Sequence, residues 1–318
     1  MDTRHFAYYW TPESSVSIEE FIKKGRPSIV TNDMADWIWV RGTPGDKKDP
    51  EEDVNQGAVL EEAERSLIDL ERRLDMIEKD GNIPIRAKKG VKGKKAMRDE
   101  AYDETTKKLK ELSIRSKWTA GKWLLFPKHE DVDAVFATIG ISVAKGPLRE
   151  AGVMLTKVAP SPLSFDGQPG PHLICLYIEN VYDLAVVKKV LEVLLTQHGL
   201  EPSAVKSDLY TVAGIDSNHP TKLRSSIWRP NEVITSQDTI KELKAQFNQS
   251  KGKTSNKADN GIIESDSEDE KISRVNKRKS PPAGVAEGKG NEEETKTEKG
   301  QAAKVVSAKP KKRVKSAA

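Results

Sequence analysis

The sequence predicts an α+β fold in which helices cover one face of a single sheet. Between residues 118 and 231, strand and helix patterns alternate with short connections, in the order strand, helix, strand, strand, helix, strand, strand. That order calls for one sheet with a layer of helices. Beyond residue 248 the chain carries no aromatic residue, no Leu and no Met, so this part cannot bury a core. We therefore expect the fold within the first 248 of the 318 residues.

Runs of β-branched, aromatic and other apolar residues between turn formers predict the strands. They span residues 35–41, 122–126, 152–158, 172–178, 208–215 and 225–228. The run at 172–178 is apolar for nearly its whole length, which is typical of a strand covered on both faces.

Apolar residues spaced three and four apart predict the helices. They span about residues 58–79, 100–115, 131–143 and 183–198. The first carries one apolar stripe, formed by Leu60, Ala63, Leu67, Leu70, Leu74 and Ile77. This stripe allows two interpretations: packing on the chain's own sheet, or a short coiled-coil dimer. Three heptads are marginal for a coiled coil, so we expect packing within a monomer.

Composition and charge divide the chain into four parts. They are an N-terminal extension at 1–34, the α+β domain at 35–235 with a basic loop at 84–99, a short helix or linker at 236–248, and a disordered basic tail at 249–318. The tail carries 17 Lys and Arg against 11 Asp and Glu, whereas the rest carries 36 against 38. The folded part is thus slightly anionic, which excludes a body that binds duplex DNA as a polycation. Any nucleic-acid surface on the domain must be local.

The sequence lacks the features of several protein classes. No run of 18 apolar residues exists, so we expect no transmembrane helix and no membrane partner. The N-terminus does not have the pattern of a secretory signal. With Cys175 as the single cysteine, neither an internal disulfide nor a thiolate zinc site is expected, and we predict no metal and no cofactor. No catalytic motif is present, so the enzyme alternative requires a site assembled in space, for example from His172, Asp208 and Tyr210.

Five ordered segments of the chain resemble the basophilic-leukaemia-expressed (Bles) family. They are residues 121–127 (GKWLLFP), 132–136 (VDAVF), 172–177 (HLICLY), 208–215 (DLYT followed by Gly214 and Ile215) and 226–228 (SIW). The resemblance extends over roughly residues 37–230. It implies the fold of the cap-binding translation initiation factor: a curved, mainly antiparallel sheet with helices on its convex face and a ligand groove on its concave face. The family has no defined function, and a fold alone carries no site.

The resemblance also implies where ligand-binding residues would lie. In the cap-binding factor, two tryptophans sandwich a methylated guanine and basic residues hold the phosphates. In that factor an adjacent acid also pairs with the edge of the base. Here Trp118 is the only tryptophan just before the predicted strand at 122–126 and no glutamate follows it, so a methylguanosine cap is not predicted. Trp37 and Trp39 share one face of a strand, and we expect them, like Trp123, to pack in the core. The candidate ligand-binding residues are Trp118, Lys157, His172, Arg224 and Arg229.

Basic clusters outside the predicted core suggest further contacts or targeting. Residues 86–98 are either a solvated loop or a phosphate-binding arm, whose cations include Arg86, Lys88, Lys89, Lys92, Lys94 and Lys95. The nuclear-targeting candidates in the tail are Lys277, Arg278, Lys279, Lys311, Lys312, Arg313 and Lys315. The phosphorylation candidates are Ser265, Ser267 and Ser280. These clusters predict a protein present in the cytoplasm and the nucleus.

The sequence therefore predicts a non-enzymatic binding module that accepts a nucleotide or single-stranded RNA on the concave face of its sheet, assisted by the basic arm and the tail. The alternative is an adaptor that binds a protein partner through the convex helices. A second alternative is an uncharacterised enzyme.

Overall fold

The computed structural model describes residues 8–42, 56–160 and 172–258, with side chains up to residue 249. Strands and helices alternate along these segments and build one sheet with helices packed against it. The predicted α+β class is confirmed.

Within the described residues, six strands form one mixed sheet. The strands are β1 (Tyr9–Trp10), β2 (Ile38–Arg41), β3 (Gly121–Leu125), β4 (Val153–Val158), β5 (Ile174–Ile178) and β6 (Ala204–Ser207). Their spatial order is β1-β2-β4-β5-β3-β6. The β1–β2 pair is parallel and every other pair is antiparallel. The sheet is therefore mainly antiparallel, as predicted.

The helices follow the strands in the order that the sequence predicts, with additional short elements. They are α1 (Ile18–Lys24), α2 (Gln56–Lys79), α3 (Lys94–Arg115), α4 (Val132–Lys145), α5 (Pro147–Glu150), α6 (Leu184–Val193), α7 (Asp208–Val212), α8 (Pro230–Val233) and α9 (Gln237–Ala258). A π-helical turn, Leu194–His198, continues α6 and ends at Gly199 in the left-handed conformation. Asp183 caps the start of α6 by accepting hydrogen bonds from two backbone N–H groups.

The main core lies between one face of the sheet and the helices. Alternate residues of the strands supply the sheet side of this core, including Ile38, Val40, Trp123, Val158, Ile174 and Leu176. Helices α1, α4, α6 and α9 supply the other side through Phe21, Phe136, Ile139, Leu191 and Ile240. Because strand side chains alternate between faces, the remaining strand residues point away from this core.

A second cluster joins the α2–α3 hairpin to the segment after β6. Its members include Ala63, Leu67, Leu70, Leu109, Trp118, Leu209, Tyr210 and Leu223. The apolar stripe predicted on α2 is therefore buried against other parts of the same chain.

Two predicted strands take another form. Asp208–Val212 is helix α7, and the strand that pairs with β3 at this edge is Ala204–Ser207. In the helical conformation, Leu209 and Tyr210 are both buried in the second cluster, which a strand with alternating faces would not allow. Residues 225–228 join the sheet through a single bridge, Val205 to Trp228.

The segments on either side of the predicted domain also contribute to the core. Residues before position 35, predicted as an extension, place Trp10, Phe21 and Val30 in the main cluster. Helix α9 extends through the predicted linker at 236–248 and buries Ile240 to 3% exposure. The folded unit therefore extends beyond the predicted 35–235 domain at both ends and includes the segment predicted as a short helix or linker.

Candidate functional site

The sheet face opposite the main core carries aromatic and cationic side chains instead of a continuous apolar layer. We call it the front face. Strand pairing aligns its residues in two rows, one made of Trp39, Lys157, Cys175 and Leu124 and the other of Leu155, Tyr177, Lys122 and Lys206. Most of these side chains are partly exposed, whereas Cys175 and Lys122 are buried. The front face is thus accessible above a floor that excludes water.

Three aromatic rings surround the ammonium of Lys157. The Lys157 Nζ atom lies 3.9 Å from the ring centroid of Trp37, 4.6 Å from that of Trp39 and 5.6 Å from that of Tyr177. The rings of Trp39 and Tyr177 are nearly parallel, at 26° with centroids 6.4 Å apart. All three distances are within the range of favourable cation–π contact. We call this group the Lys157 cage.

The Lys157 ammonium lies in the cage without a carboxylate in direct contact. Among the described residues, none places an acidic oxygen within 4.0 Å of Lys157. Burial lowers the pKa of Lys157, and the nearby ammonium of Lys122 acts in the same direction. The aromatic rings favour the charged form, because their negative π faces attract a cation. The rings therefore partly replace the water that burial removes.

A buried ion pair adjoins the cage. Lys122 Nζ lies 2.7 Å from Oδ1 of Asp208, and each side chain is 9% exposed. Asp208 follows β6 directly at the start of α7, so the strand–helix junction sets its position. Lys122 also lies over the ring of Tyr177, at 5.1 Å from the centroid. Tyr177 thus connects this pair to the Lys157 cage.

Lys206 adds another cation directly opposite Lys122 on the neighbouring strand. Burial lowers the pKa of Lys206, and the charge of Lys122 lowers it further. Like charges placed opposite each other destabilise a sheet, and Asp208 offsets part of this repulsion. With Lys122, Lys157 and Lys206 against Asp208, this part of the front face has an excess of positive charge.

Cys175 lies in the floor of the front face and is 2% exposed. Burial raises the pKa of its thiol to about 11. The thiol therefore stays protonated at neutral pH and is a packing residue rather than a nucleophile.

A family model described as basophilic leukemia-expressed protein Bles03 matches residues 4–212. The chain belongs to the Bles03 family. The resemblance expected from the sequence is confirmed, and the match includes all the strands named above together with Asp208. The comparison with curated proteins gave no match.

In this Bles03-family chain, two of the candidate ligand-binding residues are buried and are not accessible to a ligand. Trp118 is 1% exposed and packs in the second cluster, away from the front face. His172 is fully buried. Its Nδ1 lies 2.9 Å from the carbonyl oxygen of Ala159, so Nδ1 carries the proton and Nε2 accepts from Nδ1 of His129 at 3.0 Å. Both residues are corrected to structural roles.

The two candidate arginines lie apart from the front face. Arg224 Nη1 forms a hydrogen bond of 2.6 Å to Glu232, and a second contact makes this pair bidentate. Arg229 lines an open cleft of about 370 Å³ beyond β6, together with Glu201 and Gln237. Of the five candidates, Lys157 is the one that the front face contains.

The residues of the enzyme alternative are not assembled into one site. Tyr210 is 1% exposed in the second cluster, Asp208 is bound to Lys122, and His172 is bound to Ala159 and His129. Each therefore has a structural partner in a different environment. The described residues also contain no group of three side chains suited to a metal ion.

The basic arm connects α2 to α3. Lys92 pairs with Glu100, Lys94 donates to the carbonyl of Glu78, and Arg98 pairs with the Glu78 carboxylate. The remaining arm cations are exposed, and none has a carboxylate within 4.0 Å among the described residues: Arg86, Lys88, Lys89 and Lys95. Helix α3 has 22 residues and is therefore about 33 Å long, and along the chain it lies between residues 86–93 of the arm and β3.

The sequence contained a signal for the front face that hydrophobicity alone does not show. Lys122, Lys157 and Lys206 each interrupt a strand whose neighbouring residues are buried. A lysine at such a position points to the face opposite the core.

The nuclear-targeting and phosphorylation candidates lie outside the described residues. No helix of the described part is long and apolar enough to cross a membrane.

Proposed function

We propose that the front face is a non-enzymatic binding site for a nucleotide or for single-stranded RNA. The observation that supports this proposal is the Lys157 cage, in which aromatic rings and cations share one accessible surface. Single-stranded nucleic acids are commonly bound by aromatic rings that stack on bases and by cations that follow the backbone.

Each part of the ligand has a matching part on the front face. Trp37 and Trp39 are partly exposed and offer ring surface to a base. Stacking of one base on an aromatic side chain contributes about 1–3 kcal/mol. Lys157 and Lys206 are positioned to attract phosphate, because neither is neutralised by a carboxylate within 4.0 Å among the described residues. Lys122 is paired with Asp208, which compensates its charge, so it is not counted as a phosphate contact.

The basic arm supplies a second contact for longer ligands. Helix α3, about 33 Å long, lies along the chain between residues 86–93 of the arm and β3, so we expect a mononucleotide at the cage not to contact these arm residues. A longer single strand can span this distance. The proposal therefore requires the arm cations to increase the affinity for single-stranded RNA and to leave the affinity for mononucleotides unchanged.

The test uses the full-length chain, a labelled single-stranded RNA of about 15 nucleotides, and GMP, with fluorescence titrations at several salt concentrations. Trp37→Ala is expected to weaken binding of both ligands by about tenfold, because it removes stacking surface. Leu184→Ala is the matched control, since Leu184 is 43% exposed on α6 behind the sheet. A Trp37→Ala variant that binds both ligands as well as the control contradicts the proposal.

The arm is tested separately with Lys88→Ser/Lys89→Ser. For the 15-nucleotide strand, the slope of log affinity against log salt is expected to fall by about 0.7 for each lost phosphate contact. Binding of GMP is expected to stay unchanged. Lys23→Ser/Lys24→Ser, at the exposed end of α1, is the control with the same change in charge. If the full-length protein binds neither RNA nor GMP at low salt, the proposed function is lost.

One observation supports the adaptor as a second candidate. An open cleft of about 630 Å³ lies between α2, α3 and residues 220–222, and Ile68, Leu74 and Tyr102 supply apolar surface to it. Ile68 is 52% exposed and lies outside the apolar stripe of α2. Exposed apolar surface of this kind is typical of protein contacts. Ile68→Lys is expected to abolish binding of a protein partner without changing the RNA titration.

A further inference from the structure

We infer that Lys157 acts as an internal cation that fills the aromatic cage and makes the site select against positively charged ligands. The site then accepts a neutral base with its phosphate and rejects a methylated, cationic base or a quaternary ammonium ion. The ranking of nucleotides rests on the proposed function. The occupancy of the cage by Lys157 does not, and it is tested separately below.

The geometry of the cage leads to this inference. Two tryptophans and a tyrosine placed within 6 Å of one point form the kind of aromatic cage that proteins use to bind an ammonium group. Here the centre of that cage is occupied by the Nζ atom of Lys157, at 3.9, 4.6 and 5.6 Å from the three centroids. A cation from solvent would have to displace a side chain that is attached to the same sheet.

A second charge disfavours that displacement. Lys122 lies 5.1 Å from the centroid of Tyr177, so one wall of the cage already has another ammonium beside it. Asp208 pairs with Lys122 and is only 6% exposed, which leaves it unable to serve as the counter-ion of a ligand in the cage. A cationic ligand would therefore have to displace the Lys157 ammonium, and Asp208, the carboxylate that acts on Lys157, is already paired with Lys122.

A neutral base meets no such penalty. It can stack on the partly exposed ring of Trp37 while Lys157 stays in place, and the phosphate of the same ligand is attracted by the excess positive charge. Charge, rather than the shape of the ring, thus determines which base is accepted. The bases of GMP and 7-methyl-GMP differ by one methyl group and the positive charge that it brings, so the two nucleotides form a matched pair of probes.

The experiment compares GMP with 7-methyl-GMP on the full-length protein and on Lys157→Met, using tryptophan fluorescence. On the unmodified protein, 7-methyl-GMP is expected to bind at least about tenfold more weakly than GMP, because its positive ring lies a few ångströms from an ammonium. Lys157→Met removes the internal cation while keeping a side chain of similar length. In this variant the preference is expected to reverse.

Tetramethylammonium tests the cage without any nucleotide. The unmodified protein is expected to give no fluorescence response, whereas Lys157→Met binds this ion in the vacated cage. Lys157→Arg keeps a cation and should behave as the unmodified protein. Lys188→Met, on the exposed surface of α6, controls for the loss of a lysine elsewhere. Urea unfolding of each variant verifies that it is folded.

The outcomes separate the inference from the proposed function. Equal or tighter binding of 7-methyl-GMP by the unmodified protein overturns the inference, whether or not Lys157→Met folds. A folded Lys157→Met variant that ignores tetramethylammonium also overturns it. If no form of the protein binds a nucleotide but Lys157→Met binds tetramethylammonium, the cage inference holds and the proposed function fails.

Discussion

Lys122 and Asp208 show how a charge can be kept beneath a binding surface. Their side chains are each 9% exposed, and their 2.7 Å contact compensates the ammonium and the carboxylate for lost water. Removing one member of such a pair leaves the other charge buried without a partner. The pair therefore stabilises the junction between β3 and α7 only while both members are present.

Asp208→Asn is expected to lower the free energy of unfolding by about 3 kcal/mol, because the Lys122 ammonium then stays buried without its counter-ion. Urea denaturation measures the effect. Glu130→Gln is the control, since Lys128 and Glu130 form an exposed pair at 76% and 71% exposure, and its loss should change stability by less than about 1 kcal/mol. The double variant Lys122→Met/Asp208→Asn should recover much of the loss. A similar small effect for Asp208→Asn and Glu130→Gln would refute this role.

His172, which is buried, and His198, which is half-buried, give the protein a predicted dependence on pH. Burial lowers the pKa of His172 and of His198 below the ordinary 6.5. Below that value the unfolded chain binds protons that the folded chain does not, so the free energy of unfolding falls as the pH falls. The contribution of these two histidines to stability is fully present above about pH 6.5 and is lost progressively as the pH falls towards their lowered pKa values. Urea unfolding between about pH 7.5 and pH 5.5 measures the slope, which should be smaller in His172→Gln/His198→Gln. An unchanged slope in that variant would contradict the assignment.

At the scale of elements, the end of α6 fixes the position of α9. Gly199 has φ of 66° after the π-helical turn, and a Cβ atom at this position would lie 2.3 Å from the ring of Phe247 on α9. Only glycine allows both the left-handed backbone and the close approach of the ring. The packing of α9 thus depends on the absence of one methyl group.

Gly199→Ala is expected to lower stability by at least about 2 kcal/mol, because it adds a steric clash to the backbone strain. Gly214→Ala is a matched control: Gly214 also has positive φ, at 69°, but no atom lies within 4 Å of the added Cβ. The control should lose only about 1 kcal/mol. Thermal or urea unfolding compares the two variants, and equal losses would show that Phe247 does not restrict position 199.

At the scale of the whole molecule, the N-terminal segment is part of the fold. Ile18, Phe21, Ile22 and Val30 are each buried to 8% exposure or less, and β1 extends the sheet beside β2. The free energy contributed by burying several such side chains is comparable to the whole free energy of unfolding of a typical domain, so the domain cannot lose this contribution and stay folded. The segment therefore acts as the edge of the core.

Removal of residues 1–34 is expected to abolish cooperative urea unfolding, because the main core loses one of its walls. A variant lacking residues 263–318, whose composition cannot build a core, is the control and should keep the midpoint of the intact protein. Circular dichroism follows both transitions. Cooperative unfolding without residues 1–34 would show that the remaining core is sufficient.

The sequence correctly predicted those helices and strands that are encoded by the spacing of apolar residues along the chain. The stripe on α2 and the apolar run of β5 follow from spacing along the chain, and both elements lie close to their predicted bounds. Residues 208–212 were predicted as a strand because they are rich in β-formers, but tertiary packing of Leu209 and Tyr210 favours a helix. The local pattern of residue types along the chain contains no information on such tertiary packing.

The front face depends on information that a sequence does not show directly. Trp39, Lys157 and Tyr177 are far apart in the chain and meet only because of the strand order β2-β4-β5. Trp37 and Trp39 were predicted to pack in the core, which was wrong, because hydrophobicity does not reveal which face of a strand is covered. Their contacts with Lys157 place them on the opposite face.

The length of α3 has a kinetic consequence for the proposed ligand. An RNA strand that contacts both the arm and the front face can dissociate only when both contacts are open at the same time. Dissociation should therefore slow sharply once the strand is long enough to bridge the two surfaces, while the association rate changes little. The length of helix α3 would then determine the RNA length above which the residence time of the complex increases.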